Sequence, residues 1–171
     1  KETRLPAASA PNPLVRTPVD FSRDVLAEKL EIAGSPAHAH VVVEGVLMYL
    51  TRDQRAALLR TLASRFPRHT LYCDLMRKGF FERFSRPIHE KIVGMGATFT
   101  ELDEQPERLF IEAGYTMTAL DSATLHAVNH GSIGIPAFVV RWLLKSLRDG
   151  YLVGVFERSA TRPPGLGPDL A

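Results

Sequence analysis

Two acidic residues directly follow predicted strands of the sequence and could bind one ligand together. Asp20 follows Leu14–Val19, and Glu44 follows Val41–Val43, a β-branched run typical of a strand buried on both faces of a parallel sheet. Carboxylates at the carboxyl ends of neighbouring parallel strands share one edge of the sheet, where they can accept hydrogen bonds from amine or hydroxyl groups of a ligand. Gly45 lets a ligand approach the backbone closely.

A structural role explains the same two acids without a ligand. Asp20 can cap the helix that follows it, and Glu44 can be an exposed turn residue. Spacing by itself favours this interpretation over a binding site. At this point the sequence therefore leaves both roles open.

Two histidines, His126 and His130, are spaced so that they could share one face of a helix, as zinc ligands do. No matched glutamate or third ligand accompanies them, so we expect surface or packed histidines and predict no metal site. The Gly-Ser-Ile-Gly segment at 131–134 lacks the GxSxG spacing of an esterase nucleophile, and the sequence has no glycine-rich phosphate loop. These three classes of site are therefore not supported.

The elements that would position the two acids alternate along the chain. Strands are predicted at Leu14–Val19, His40–Val43, His69–Asp74, Tyr115–Leu120 and Tyr151–Phe156. Helices are predicted from Ser22 to Gly34, from the Thr51–Gln54 capping box to Pro67, from Pro106 to Gly114, and from Pro136 to Gly150. Residues 77–100 are expected to form a helix with loops, and residues 121–135 a second loop. This alternation predicts an open α/β sheet, mostly parallel, with ligands beyond the carboxyl ends of its strands.

The composition indicates one ordinary globular domain. The chain has 171 residues, of which 45% are hydrophobic and 23% charged, with a formal net charge of +2. No apolar run is long enough to span a membrane, and the single cysteine, Cys73, excludes an internal disulfide and favours the cytoplasm. Residues 52–91 are more basic than acidic; we interpret them as a solvated helix face and loop, with a polyanion site as the alternative, and expect no nucleic-acid partner.

The segment Glu44–Leu50, followed by Thr51, resembles the E-G-x-x-x-Y-L motif of the leucine carboxyl methyltransferase family. Val19–Phe21 is similar to the acidic-plus-apolar pair after the family's third strand. Arg108–Tyr115 and Gly150–Phe156 resemble its late helix and last strand. The family consists of class I S-adenosylmethionine-dependent methyltransferases and includes polyketide O-methyltransferases of the tetracenomycin type.

The resemblance implies a Rossmann-like class I methyltransferase sheet, mostly parallel with an antiparallel last strand. It implies S-adenosyl-L-methionine as the cofactor, with Asp20 accepting from the adenine amino group and the backbone of Phe21 pairing a ring nitrogen. Glu44, beside Gly45, would hold the positively charged methionine end. The implied reaction is O- or carboxyl-methylation of a small molecule or of a carboxyl terminus.

The resemblance does not identify a catalytic residue. Residues 77–100 and 121–135 are the expected walls of the acceptor site. Four aromatic residues could line an apolar pocket there, although core packing is the better expectation for most of them: Phe80, Phe81, Phe84 and Phe99. A hydroxyl acceptor would need a base, for which His126 and His130 are the candidates. Tyr49 and Leu50 are expected to pack against the helix that follows them, and Tyr49 is not expected to be catalytic.

The family's glycine-rich first loop and the acid after its second strand have no counterpart in the sequence, so its amino-terminal strands are missing. We therefore interpret residues 1–160 as the carboxyl-terminal portion of a single methyltransferase domain, and residues 161–171 as a loose tail. The intact protein is expected to be an enzyme and the isolated chain to be inactive. The alternative is a non-catalytic α/β interaction module or a degenerate methyltransferase.

The isolated chain is expected to bind S-adenosylmethionine weakly or not at all, because the family's glycine-rich loop holds much of the cofactor. Titration calorimetry with the 171-residue chain measures this directly. A dissociation constant in the micromolar range would contradict the interpretation.

Overall fold

The computed structural model describes residues 14–21 and 23–159, and for residues 85–88 it describes the backbone only. The chain divides into two compact units, with the boundary after Gly34. The predicted tail at 161–171 lies outside the described residues.

The described residues of the first unit, 14–21 and 23–34, form turns and one short α-helix. Residues 14–20 form no strand, so the predicted strand Leu14–Val19 is wrong. Pro18 interrupts this run and cannot donate a ladder hydrogen bond, which explains why the apolar residues do not extend into a sheet. The helix α1 spans Leu26–Lys29, a 3₁₀ turn follows at Glu31–Ala33, and the chain leaves the helical conformation at Gly34, as predicted. The proposed cap, Ser22, lies outside the described residues.

The second unit is built on a four-stranded sheet. Its strands are β1 (Ala39–Val43), β2 (His69–Met76), β3 (Thr116–Ser122) and β4 (Tyr151–Arg158), in the spatial order β1-β2-β4-β3. β1 pairs parallel with β2, whereas β4 pairs antiparallel with both β2 and β3. β1, β2 and β3 therefore run in one direction and β4 runs against them. The predicted α/β sheet with an antiparallel last strand is confirmed. Its pairing among the described residues is mostly antiparallel, with β1–β2 as the one parallel pair, because β4 lies between β2 and β3.

Burial separates the central strand from the first one. β2 lies between two hydrogen-bonded neighbours and is buried along most of its length. β1 has β2 as its hydrogen-bonded neighbour on one side, and its burial alternates, with Val42 69% exposed. The prediction that Val41–Val43 is buried on both faces is therefore wrong. The three valines form a strand, but an edge position leaves the middle side chain uncovered.

The helix α2 (Arg52–Arg65) follows β1 through a 3₁₀ turn at Leu47–Tyr49. The predicted capping box is present: the Gln54 backbone N–H donates to Thr51 Oγ1 at 3.3 Å, and the Thr51 N–H donates to Gln54 Oε1 at 2.9 Å. Leucines of α2 pack into the core at Leu58, Leu59 and Leu62. Local capping and an apolar face therefore fix this helix as the sequence predicts.

The remaining helices are short. They are α3 (Lys78–Phe80), a π-helical turn (Phe81–Ser85), α4 (Arg86–Gly94), α5 (Arg108–Glu112), α6 (Ala123–Asn129), α7 (Ala137–Trp142) and α8 (Lys145–Arg148). The segment 121–135, predicted as a loop, contains α6, whose first turn is capped by Ser122 Oγ accepting from the Leu125 N–H at 3.1 Å. The helix predicted from Pro136 to Gly150 is divided at Leu143–Leu144, because Leu144 leaves the helical region of φ and ψ.

A buried histidine connects the core at the amino end of β2. His69 is fully buried, and its Nδ1 lies 2.6 Å from the Phe66 carbonyl oxygen. A carbonyl can only accept, so Nδ1 carries the proton. The single hydroxyl proton of Tyr115 lies between two acceptors, His69 Nε2 at 3.0 Å and the Leu59 carbonyl oxygen at 3.3 Å. Burial lowers the pKa of His69 and raises the pKa of Tyr115 to about 12. The pair is therefore neutral in the folded protein at neutral pH.

Acidification is expected to destabilise the protein through His69. The folded state keeps the imidazole neutral, whereas the unfolded chain takes up a proton near the ordinary pKa of 6.5. The contribution of His69 to the free energy of unfolding is therefore full above that pH and falls below it, by up to about 1.4 kcal/mol per pH unit. Urea denaturation at neutral and at mildly acidic pH measures the loss.

Two variants separate this effect from general acid sensitivity. His69→Gln is expected to lower stability at neutral pH but to flatten the fall on acidification. His126→Gln, at an exposed histidine, is expected to keep the wild-type profile. An equally steep profile for His69→Gln would show that another group causes the loss.

Candidate functional site

Glu44 and Gly45 lie immediately beyond the carboxyl end of β1. Glu44 is exposed and makes no ion pair with the described residues. Gly45 has a φ of 64°, and no atom of the described residues lies within 4 Å of the position that a Cβ atom would occupy. The glycine is therefore required by its backbone conformation rather than by crowding from this part of the chain.

A buried carboxylate fixes this turn. Asp74, near the carboxyl end of β2, is 7% exposed, and its Oδ1 accepts from the Gly45 backbone N–H at 2.9 Å. Its Oδ2 accepts from the Tyr151 hydroxyl at 2.5 Å. Burial, followed by the hydrogen bond to Asp74, raises the pKa of Tyr151 above its ordinary value. Asp74 thus joins the turn after β1, the end of β2 and the start of β4.

The rest of the Glu44–Leu50 motif anchors the turn to the core. Leu47, Met48 and Leu50 are buried. The Met48 and Leu50 carbonyls accept from the Thr100 N–H at 2.9 Å and from its hydroxyl at 2.6 Å. Tyr49 packs its ring 5.1 Å from that of Phe99. Leu50 is buried, and the ring contact of Tyr49 is with Phe99, not with the following helix α2; that the two residues pack against that helix stays a prediction.

Asp20 and Phe21 belong to the first unit. The Asp20 carbonyl oxygen accepts from the N–H groups of Arg23 and Asp24 at 3.0 and 2.8 Å, and its own N–H donates to Asp24 Oδ2 at 2.8 Å. Asp20 therefore begins a tight turn through its backbone. The Asp24 side chain also bonds to the backbone of this turn. Phe21 is 38% exposed.

The two histidines lie on or just after α6. His126 is in the helix, His130 is its first residue beyond, and both are exposed. Among residues 14–21 and 23–159, no group of three or more His, Cys, Asp or Glu side chains could hold a metal ion. The structure does not bring either histidine to the lining of the cavity described next.

A solvent-open cavity of about 350 Å³ lies where β2 ends and β4 begins. One wall is formed by Arg77, Phe80 and Arg83. The other is formed by Lys145 of α8 and by Asp149, the residue that follows this helix. The prediction that residues 77–100 contribute to an acceptor site is compatible with this position. Residues 121–135 contain α6 and do not line this cavity, beside which α8 lies; that they form a wall of the acceptor site stays a prediction.

The aromatic residues predicted near this site divide into two groups. Phe80 lines the cavity. Phe81 and Phe99 instead pack against each other, with ring centroids 5.5 Å apart, and both contact the His89 ring. Phe84 packs against Phe80 at 5.5 Å. The expectation that most of these rings pack rather than line a pocket therefore holds.

Residues 1–63 match the family described as leucine carboxyl methyltransferase. The resemblance is confirmed. The matched region contains the Val19–Phe21 segment and the Glu44–Leu50 motif. No curated protein sequence matches the chain.

Several solved structures are similar to this chain over most of its length. A DUF574 family protein from Streptomyces avermitilis matches 79% of this chain and 53% of its own length, with a TM-score of 0.52 and 10% identity. Magnesium protoporphyrin IX methyltransferase from Synechocystis, with bound S-adenosylhomocysteine, matches 82% of this chain and 49% of its own length (TM-score 0.42, 14% identity). Geranyl diphosphate C-methyltransferase from Streptomyces coelicolor matches 70% of this chain and 47% of its own length (TM-score 0.40, 13% identity).

The first of these likenesses establishes the fold as Rossmann-like α/β. The chain spans about half the length of the three solved structures that it matches. No helix among the described residues is long and apolar enough to cross a membrane.

The sequence predicts Asp74 at the carboxyl end of a strand, but it does not predict that Tyr151 is the hydrogen-bond partner of Asp74. The hydroxyl and the carboxylate that it binds are 77 residues apart, and only the antiparallel direction of β4 brings the start of that strand to the end of β2. A polar aromatic residue at the first position of the last strand is the one signal that the sequence offers.

Breaking the Asp74 hydrogen bonds is expected to destabilise the fold in steps. Tyr151→Phe leaves one buried carboxylate oxygen without its partner and should lower the free energy of unfolding by about 1–2 kcal/mol. Asp74→Ala leaves both the Gly45 N–H and the Tyr151 hydroxyl unpaired, so about 2–4 kcal/mol is expected. Urea denaturation measures both.

Tyr72→Phe is the matched control, since that hydroxyl makes an exposed contact with His40 Nδ1 at 3.3 Å. A loss below about 0.5 kcal/mol is expected for it. Equal losses for Tyr72→Phe and Tyr151→Phe would show that the Asp74 pairing contributes nothing specific.

Proposed function

We propose that the intact protein is an S-adenosyl-L-methionine-dependent methyltransferase that methylates an oxygen of a small molecule or of a carboxyl group. The observation that carries the proposal is the family match over residues 1–63, which contains all the residues predicted to bind the cofactor: Asp20, Phe21, Glu44 and Gly45. The Rossmann-like fold supports it, because such sheets bind ligands beyond the carboxyl ends of their strands.

The residues after β1 fit the methionine end of this cofactor. Glu44 is exposed and free of ion pairs with the described residues, so its negative charge is available to the ammonium and sulfonium groups. With no side chain, Gly45 lets a ligand approach the backbone at the turn. In the proposal, Asp20 accepts from the adenine amino group and Phe21 pairs a ring nitrogen through its backbone.

When bound, S-adenosylmethionine supplies a methyl group on a positively charged sulphur. The role of the protein's own residues is to align the acceptor and exclude water, because methyl transfer is a direct displacement. Asp74 serves this role by fixing the Gly45 backbone, so the turn is held before any ligand binds. An acceptor that is already anionic needs no base, and this suits a site to which neither His126 nor His130 contributes.

The basic residues of 52–91 support a small-molecule acceptor better than a polyanion. Arg52 pairs with Glu112 at 2.8 Å, and Arg77 pairs with Glu107 at 3.4 Å. Arg55 is buried, donates to the Glu101 carbonyl and pairs with Asp103 at 3.5 Å. Several of these cations are thus neutralised by acids from outside the segment.

The proposal has three further parts: a small-molecule methyl acceptor, no nucleic-acid partner, and a cytoplasmic location, which the single cysteine favours.

Replacing Glu44 tests the proposal in the intact protein. Glu44→Ala is expected to weaken S-adenosylmethionine binding about tenfold or more, because a charge-assisted contact to the methionine end is lost. Glu44→Gln, which keeps the shape but not the charge, should lie between wild type and Glu44→Ala. Titration calorimetry measures the dissociation constants.

Glu90→Ala removes an exposed carboxylate from α4 and is the matched control, with no change in affinity expected. An unchanged dissociation constant for Glu44→Ala would refute the assignment of this residue. Absence of any cofactor binding by the wild-type intact protein would refute the methyltransferase proposal and favour the non-catalytic α/β module.

A further inference from the structure

Tyr151 and Asp74 connect the wall of the cavity at the start of β4 to the turn that follows Glu44. Phe80, in the cavity wall, stacks on Tyr151 with ring centroids 6.1 Å apart and an interplanar angle of 20°. The Tyr151 hydroxyl donates to Asp74, which in turn holds the Gly45 N–H. Three side chains in contact with one another, Phe80, Tyr151 and Asp74, therefore lie between a ligand in the cavity and the turn that is predicted to bind the cofactor.

The shape of the cavity depends on a close approach at Gly150. A Cβ atom at this position would lie 2.3 Å from Phe80 Cβ and 2.5 Å from the Ser146 carbonyl oxygen. Real Cβ atoms do not come this close to other atoms, so only glycine allows α8, Phe80 and the first residue of β4 to meet. The Gly150 carbonyl also accepts from the Arg77 N–H at 2.9 Å, which holds the end of β2 beside α8.

The acids around the cavity are partly neutralised by neighbours. Asp149 pairs with Arg148 through two hydrogen bonds of 2.5 and 2.6 Å, and this guanidinium, with further help from Arg77 and Lys145, lowers the pKa of the Asp149 carboxyl. Asp149 therefore contributes little free negative charge to the cavity. Glu104 is the remaining acid of the lining.

The cations of the lining are in excess. Arg77 pairs with Glu107, yet its Nε is buried without a hydrogen-bond partner. Arg83 and Lys145 form no ion pair with the described residues, and both are exposed. The two unpaired cations, Arg83 and Lys145, thus outnumber the one unpaired acid, Glu104, so the cavity favours negative charge.

We propose that this cavity binds an anionic group, a carboxylate or a phosphate, on a planar apolar molecule. Arg83 and Lys145 hold the anion from opposite walls, and Phe80 packs against the apolar part. A volume of about 350 Å³ is sufficient for a ligand of one or two rings. The further statement that this ligand is the methyl acceptor, held by its anionic group beside the cofactor turn, rests on the proposed function.

Three probes test the cavity with the chain itself and without any cofactor. They share one ring system and differ in charge: 2-naphthoate, 2-naphthyl phosphate and the neutral 2-naphthamide. Protein NMR titrations, following backbone amides of the residues around the cavity, give a dissociation constant for each probe. Both anions, or one of them, are expected to bind more tightly than the amide, with shifts at Gly79, Ser146 and Gly150.

The double variant Arg83→Ala/Lys145→Ala removes both unpaired cations. It is expected to weaken binding of the anions by about 5- to 30-fold and to leave the weak binding of the amide unchanged, since each exposed charge contact contributes up to about a factor of five. Arg60→Ala/Lys91→Ala is the matched control: it removes the same net charge at exposed positions outside the lining.

Each outcome decides the proposal. If the phosphate alone binds, the anionic group is identified as phosphate; if both anions bind, the shared charge is what the cavity recognises. Equal binding of all three probes, equal losses in the two double variants, or no binding of any probe at millimolar concentration would overturn the inference. Because no cofactor is present, these results stand apart from cofactor binding by the intact protein, whose failure would remove the methyl-acceptor role but not the anion site.

Discussion

The candidate site depends on one buried carboxylate. Asp74 lies where water cannot satisfy it, and both of its oxygens accept hydrogen bonds from groups that belong to other parts of the sheet: the backbone after β1 and the side chain that begins β4. A buried acceptor that lost either donor would be strongly unfavourable, so each of these elements restrains the other. The position of Glu44, the stacking of Phe80 and the entrance of the cavity all follow from this arrangement.

Much of the second unit could be predicted from local patterns. The Thr51–Gln54 capping box, the apolar run of β2 and the helix stop at Gly114 each depend on residues that are close in sequence, and each is present in the structure. The predicted strand Leu14–Val19 is wrong because Pro18 interrupts it, and three apolar residues do not reveal whether another strand pairs with the segment. The prediction that Val42 is buried is wrong for a different reason: three valines favour a strand but do not indicate whether it is central or at an edge.

The candidate site was predictable only in part. Glu44 and Gly45 could be singled out because a strand end and a glycine turn are visible in sequence, and the family motif adds a reason for their types. The partner of Asp74 could not, because it is reached through the pairing of β2 with β4. The α8 wall of the cavity was missed for a similar reason: the division of the predicted helix at Leu144 turns Lys145 and Asp149 toward β2, and no local signal marks it.

The tight contact at Gly150 separates the fixed part of the cavity from the part that can vary. Position 150 admits no side chain, and Phe80 opposite it is held between Gly150 and the Tyr151 ring, so neither position can be enlarged without moving β4. Arg83 and Lys145 stand at exposed positions on the two walls and can change in size or charge without disturbing the core. Substitutions that change what the cavity binds without moving β4 are therefore expected at these outer positions rather than at the inner wall.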